Sequence, residues 1–402
     1  MAESPFAFYR GAARIMAMDL AAVPHSDLTV QLCGDAHLAN FGVYASPGRR
    51  LVFDLNDFDE TLPGPFEWDV KRLAASFVIA GQHRRFDNET CRQLAIDLTE
   101  AYRTTMAGYA QQGWLEMWHS RSNVADLVES AISRGASKDA IKGAKKLMKK
   151  AKSKDHLRAA GKLVERIDGV HRFRSQPPLL VPFRDLPTAI HPDEIQHQID
   201  QAFSAYRSSL DDRMRWLLDR YEQVDFALKV VGVGSVGTRC FVALLLGHTP
   251  RDVLLLQVKE ATNSVLEEHL PATKYENHGR RVVEGQRLMQ AASDIFLGWS
   301  SSLEGHDFYW RQLKDWKASV DLERASLGRF AEYARLCGAV LARAHAVSGH
   351  PGEIAGYLGS GAVFDTGIGE FAVRYAEQNL VDHAGYVAAI EEGRLEAAEL
   401  HE

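Results

Sequence analysis

Cysteine is scarce in this chain, with four in 402 residues. Cys33, Cys91, Cys240 and Cys337 are scattered with no CxxC pair, so they read as small buried hydrophobes of a reducing compartment and not as a disulfide framework. Long apolar runs are missing too. No stretch approaches the roughly 18 consecutive apolar residues of a spanning helix. The opening MAESPFAFYRGAARIMAMDLA has no charged segment, apolar core and small-residue cleavage site of a secretory signal. No membrane partner is expected, and the expected location is cytoplasmic. Charge of one sign is also lacking: a net charge of −6 argues against general nucleic-acid binding. There is no internal repeat and no low-complexity tract. The composition is that of an ordinary globular protein, 46% apolar and 25% charged, with length for two or three lobes.

What the chain does have is a dense cluster of carboxylates and amides between Leu32 and Asp69, LCGDAHLANFGVYASPGRRLVFDLNDFDETLPGPFEWD. Gly34-Asp35 opens a loop, and Asn40 follows Asp35 by five residues. Arg50 to Leu55 is an apolar run short enough for a strand and delivers Asn56-Asp57-Phe58-Asp59 at its end. Taken alone, an Asp and Asn five apart are turn chemistry. Together with the following carboxylates they suit phosphoryl transfer, which needs an Asp to orient the attacking hydroxyl and oxygen ligands for Mg²⁺. Asp35 is then the catalytic base and Asn40 and Asp57 the metal ligands, with Asp54 and Asp59 as rivals to Asp57. His37 stabilises the loop, and Asp69 braces it. Arg10 reads as a surface or structural arginine before an anion-binding one.

A second cluster lies far downstream. Asp225 to Ala261 is rich in β-branched and aromatic residues around Gly232, Gly234 and Gly237, a GxGxxG between two strands, and Lys259 sits on the third strand. Glycines there let backbone amides approach ATP phosphates, and the lysine reaches them. A Rossmann reading requires a helix directly after the glycines, but Thr238 to Leu246 suits a strand better. Glu276 to Ala292 reads as a helix, and a resemblance to kinases would make it the helix whose glutamate pairs with the lysine. Glu284 is the choice, with Glu267, Glu268 and Glu276 as alternatives. A hairpin around Gly305 completes a five-stranded antiparallel lobe, with Gln312 to Trp316 as the hinge beside the adenine.

Between the clusters, Lys138 to Lys162 carries many lysines and few acids, a solvated helix face or a docking patch for an acidic partner. Gln176 to Pro192 is proline punctuation and marks a lobe boundary. Two amphipathic helices, Leu327 to Ala346 and Phe364 to Glu392, close the chain.

Gly34, Asp35, His37 and Asn40 match the G-D-x-H-x-x-N catalytic loop of the aminoglycoside and choline phosphotransferase branch of the kinase-like superfamily, and Gly64 and Asp69 match its later positions. The whole chain also resembles a bacterial family of uncharacterised function, through FYRGAA, GDAHLANFG, NDFDETLPGPFEWDVKRLAAS and RVVEGQRLMQ. The kinase-like resemblance implies an α+β, two-lobed, protein-kinase-like fold. Its parts stand in circularly permuted order, because the catalytic and metal loops precede the ATP-binding lobe. The expected organisation is a catalytic lobe over 1–175, a linker and helix over 176–224, an ATP-binding β lobe over 225–316, and helices over 317–402 returning to the catalytic lobe. The implied activity is ATP- and Mg²⁺-dependent phosphotransfer to a hydroxyl-bearing acceptor. A nucleotide-binding protein without turnover and an AMP transferase are the alternatives. Trp114, Trp118, Glu60 and Glu67 would suit a cationic acceptor, or serve core and surface.

Overall fold

Four short strands carry the first cluster: β1 (Thr29–Leu32), β2 (Phe41–Ala45), β3 (Leu51–Leu55) and β4 (Leu62–Pro65). The computed structural model describes residues 1–395 except 122, 134, 136, 154–155, 187–191, 231–237, 250, 303, 314–315 and 317. The strands form two antiparallel ladders, β2 with β3 and β1 with β4. This arrangement sets the 33–40 loop beside the 56–61 loop, and the Asn56 amide donates to the Asn40 carbonyl at 2.8 Å. All five residues of β3 are buried, so Asn56 and Asp57 leave a fixed strand end.

Around these ladders stand helices from both ends of the chain. Phe66–His83 and Asn88–Tyr109 follow β4, and Leu327–Ser348 and Val363–Glu391 come from the far end. Their apolar faces share one core, in which Phe77 meets Phe330 and Tyr333. Arg103 clamps the buried Asp365 with three bonds of 2.7 to 3.1 Å, a charge-assisted fork between the second and last of these helices. The first helical stretch is not continuous. It breaks at Gly11-Ala12 into Pro5–Arg10, capped by the Ser4 hydroxyl, and Ala13–Ala21. Among the described residues no helix is long and apolar enough to cross a membrane.

The second cluster lies on a six-stranded antiparallel sheet, one strand more than the five expected. After a hairpin of β5 (Val164–Ile167) and β6 (Val170–Phe173), the sheet takes in β7 (Leu180–Pro182), β8 (Glu222–Lys229), β9 (Cys240–Leu246), β10 (Val253–Ala261), β11 (Gly298–Ser301) and β12 (Asp307–Gln312). Their order is β11-β12-β10-β9-β8-β7. The extra strand comes from the proline-rich segment that reads as linker. Pro182 is tolerated because β7 is the edge strand, where a missing N–H breaks no central ladder. One face of the sheet packs on the Pro192–Ser209 helix, where Tyr206 stacks on Trp310 at 4.5 Å. Lys259, paired across to Tyr309 and Cys240, points to the other face.

The junction between the two chain ends is tight at Gly338. A Cβ there would lie 2.1 Å from the Leu98 carbonyl oxygen. Gly338→Ala is expected to force the Leu327–Ser348 helix away from Asn88–Tyr109 and to destabilise the fold by about 1–3 kcal/mol. Urea denaturation measures it, and an unchanged midpoint would contradict this packing.

Candidate functional site

The 33–40 loop is held from below by one carboxylate. Asp69, in the first turn of Phe66–His83, accepts from the Cys33 amide at 2.8 Å and the Gly34 amide at 3.1 Å. The buried His345 faces the same carboxylate at 3.3 Å, and its other ring nitrogen meets the Tyr102 hydroxyl at 2.9 Å. Gly34 adopts φ +84°, and a Cβ there would lie 2.1 Å from the Glu60 carbonyl oxygen, so both conformation and space require glycine.

Asp35 follows this anchor with its side chain 23% exposed, open enough to meet a ligand. Arg72 donates to its Oδ1 at 2.5 Å, and the same guanidinium reaches the Tyr9 carbonyl at 3.0 Å. Asn40 donates its side-chain amide to the Asp35 carbonyl at 2.7 Å, which leaves its own oxygen as an acceptor. His37 Nδ1 accepts from the Ala39 amide at 3.2 Å, while Nε2 lies 3.7 Å from Asp35 Oδ2. Burial pushes the His37 pKa down to about 4, against the pull of Asp35. The neutral ring with its proton on Nε2 is the form that fits these contacts. Arg10 ends the first helix with its Nε buried and without a hydrogen-bond partner.

The 56–61 loop meets the sheet. Lys259, 4% exposed, forms an ion pair with Asp59 from a position 200 residues away. The Tyr309 hydroxyl donates to the other Asp59 oxygen at 2.7 Å. Burial pulls the lysine's pKa down, but Tyr309, Asp57 and Asp59 outweigh burial and raise it above the ordinary lysine value. Arg311, on the same sheet face, reaches the Asn56 carbonyl at 3.2 Å and Gln257 at 2.9 Å. Arg281 donates to the carbonyls of Asp59, Thr61 and Thr262 at 2.7 to 2.8 Å. Glu60 accepts from the Val265 amide at 2.7 Å, and burial pushes its pKa up to about 7.

The glutamate expected for Lys259 is corrected by this geometry. Glu284, on His278–Met289, pairs with Arg287 at 3.4 Å, while Lys259 pairs with Asp59. The turn of that helix facing the loop presents Arg281 instead. Glu267 lies by Arg281 at 3.8 Å and Glu268 pairs with Arg14, so neither takes the lysine. Asp54 accepts from the Ala291 amide at 2.7 Å inside the core, which removes it as a rival to Asp57. Gly232, Gly234 and Gly237 lie outside the described residues. The strands on either side of them, β8 and β9, pair antiparallel. Sequence reasoning missed Arg72, Arg281, Tyr309 and Arg311. Tyr309 and Arg311 carried a signal in their alternation along β12, which puts them on one face.

A divalent cation fits the donors present. One Asp57 carboxylate oxygen is buried without a hydrogen-bond partner, and Asn40 keeps a free amide oxygen. Among the described residues no three His, Cys, Asp or Glu side chains cluster as a protein-only metal cage. One carboxylate and one amide suit Mg²⁺, which keeps waters and completes its shell with substrate phosphates.

The His37 shift has a definite sign. Its folded-state pKa is depressed, so the unfolded chain takes up a proton first as pH falls below 6.5. The neutral ring's contribution is therefore complete above about pH 6.5 and is lost toward pH 4. In urea titrations at stepped pH, His37→Asn is expected to flatten the wild-type decline across that window by on the order of 3 kcal/mol. Equal slopes for the two proteins would contradict the buried neutral imidazole.

Neither a curated protein nor a solved structure is similar to the chain over any significant match. A family model does match, over residues 1–389, and it takes in both clusters. The chain belongs to the family described as uncharacterized protein conserved in bacteria, DUF2252.

Proposed function

We propose that this protein is an ATP- and Mg²⁺-dependent phosphotransferase acting on a hydroxyl of a small molecule or a protein, built as a protein-kinase-like fold in circularly permuted order. The observation that carries the reading is the meeting of Lys259 with the Asp57 to Asp59 loop, which is itself bonded through Asn56 to Asn40. Phosphoryl transfer is a matter of positioning and of charge offset, with little covalent work for the protein. It needs a cation for the phosphates, oxygen ligands for a metal, and a base for the acceptor, all within one ligand's length.

In this reading Asp35 orients the acceptor hydroxyl and takes its proton. Arg72 fixes the carboxylate's direction and leaves the second oxygen for the acceptor. His37, neutral, keeps the loop shape without competing for that proton. Asn40 and Asp57 would hold Mg²⁺. When bound by these two residues it would supply positive charge to offset that of the phosphates. Lys259 pairs with the phosphates, and Asp59 replaces Glu284 as the group that keeps the lysine charged and aimed. Gly232, Gly234 and Gly237 let backbone amides approach the phosphates. The helices after residue 326 complete the lobe that carries the catalytic loop, which is the support for permuted order.

Incubation with ATP labelled at the γ-phosphate, across a panel of hydroxyl compounds and proteins, tests the activity. Labelled product is expected, and Asp35→Asn is expected to lower its rate by about 10²- to 10⁴-fold with ATP affinity unchanged. Transfer of label from the α-phosphate would replace the reading with AMP transfer. ATP binding without any Asp35-dependent product would replace it with a nucleotide-binding regulator.

A further inference from the structure

A cavity separate from these loops lies against the hairpin of β2 and β3 that links them. It has a volume of about 330 Å³ and is walled by Val43 and Phe53 of β2 and β3, Val128 of Val124–Ser133, Leu147 of Lys138–Lys152, and Tyr333 and Leu336 of Leu327–Ser348. This size falls within the range of small-ligand sites. Well-packed cores leave few voids larger than a water molecule. The walls are apolar, and Leu147, Val128 and Leu336 are only partly buried, so the cavity keeps apolar surface in contact with water.

The mouth carries a cationic excess, with Lys146, Lys150, Arg324 and Arg329 against Asp321 and Glu332. Of the ionic groups around it, Arg329 lies 3.8 Å from Asp139, and Glu332 is bound to Arg335 at 2.8 Å. Lys146, Lys150 and Arg324 remain, and among the described residues none of them has an ion-pair partner. Against them stands the carboxylate of Asp321. A cationic rim on a protein of net charge −6 is a local exception, and it sits directly over an apolar hollow. An apolar pocket with a few convergent polar groups selects a ligand with an apolar body and a matching head. Here the head must be an anion.

We propose that this cavity binds a single-chain anionic amphiphile of medium length, with its alkyl chain between Leu147, Val128 and Phe53 and its carboxylate at Lys146, Lys150 and Arg324. Counting a methylene as about the size of a water, whose share of liquid volume is about 30 Å³, the cavity takes a chain of roughly ten carbons. The site is separate from the loops that carry Asp35 and Asp57, though Tyr333 in its wall donates to the Leu38 carbonyl at 2.6 Å. The proposal therefore does not depend on the phosphotransferase reading.

Calorimetric titration of the full chain with decanoate, below its micelle-forming concentration, and with neutral decanol tests it. Saturable one-to-one binding of decanoate is expected. Leu147→Trp and Val128→Trp fill the cavity from two different helices, and each is expected to weaken binding at least tenfold with the melting midpoint retained. Lys146→Gln combined with Lys150→Gln is expected to weaken decanoate several-fold and to leave decanol unchanged. No saturable decanoate binding by the wild-type chain would overturn the proposal, as would binding that neither tryptophan variant affects. Binding to anionic phospholipid vesicles without binding to monomeric decanoate would also overturn it, because the lysines would then read a membrane surface and not a single chain.

Discussion

A buried ammonium group is the constraint on which the arrangement depends. Lys259 sits toward the end of β10, almost without access to water, and a charge there is tolerable only beside a carboxylate. Asp59 provides it, and Asp59 in turn is tied to Tyr309, while Arg281 holds its backbone. The sheet and the 56–61 loop are therefore fixed to each other by charge. Leaving the buried lysine without its carboxylate costs about 3–5 kcal/mol, so the two cannot drift apart without penalty. The same bond sets Asp57, with its unpartnered oxygen, against the sheet face that carries Lys259 and Arg311.

The 33–40 loop rests on a different kind of support. Its amides are held by Asp69, and Asp69 meets His345 from the far end of the chain. Tyr102 closes that network inside the core. A loop braced by residues from both termini is rigid only when the terminal helices are in place. In the proposed permuted order this is the expected division of labour, since the helices that support the loop follow the sheet in the chain but not in space.

Much of this was legible in local spacing. Asp35, Asn40 and Asp57 stand within a short stretch, where strand and loop lengths limit how far side chains can travel, and the RLVFDL run is a strand as its apolar pattern suggests. The pairing of Lys259 was not legible, because long-range packing decides it. Arg281 and Glu284 are neighbours on His278–Met289, yet Arg281 reaches the Asp59 carbonyl while Glu284 pairs with Arg287. Asp59, which the sequence offers as a metal ligand, becomes the lysine's partner because the 56–61 loop packs on the sheet face that carries Lys259, Tyr309 and Arg311. The edge strand at Leu180–Pro182 was hidden by its prolines, which argue against strand everywhere except at an edge. The cavity over Leu147 could not be read from the sequence at all, since the lysine run shows only one helix face and the hollow is closed by two other helices and by β2 and β3.

The central claim is that residues from the two halves of the chain form one nucleotide site. The most direct measurement is calorimetric titration of ATP, with and without Mg²⁺, into the wild type, Asp57→Ala, Lys259→Ala and the double variant. The account predicts Mg²⁺-dependent binding that each single change weakens, with the double variant losing less than the sum because both act on the same phosphates. No ATP binding by the wild type under any metal condition, or binding indifferent to both substitutions, would contradict it.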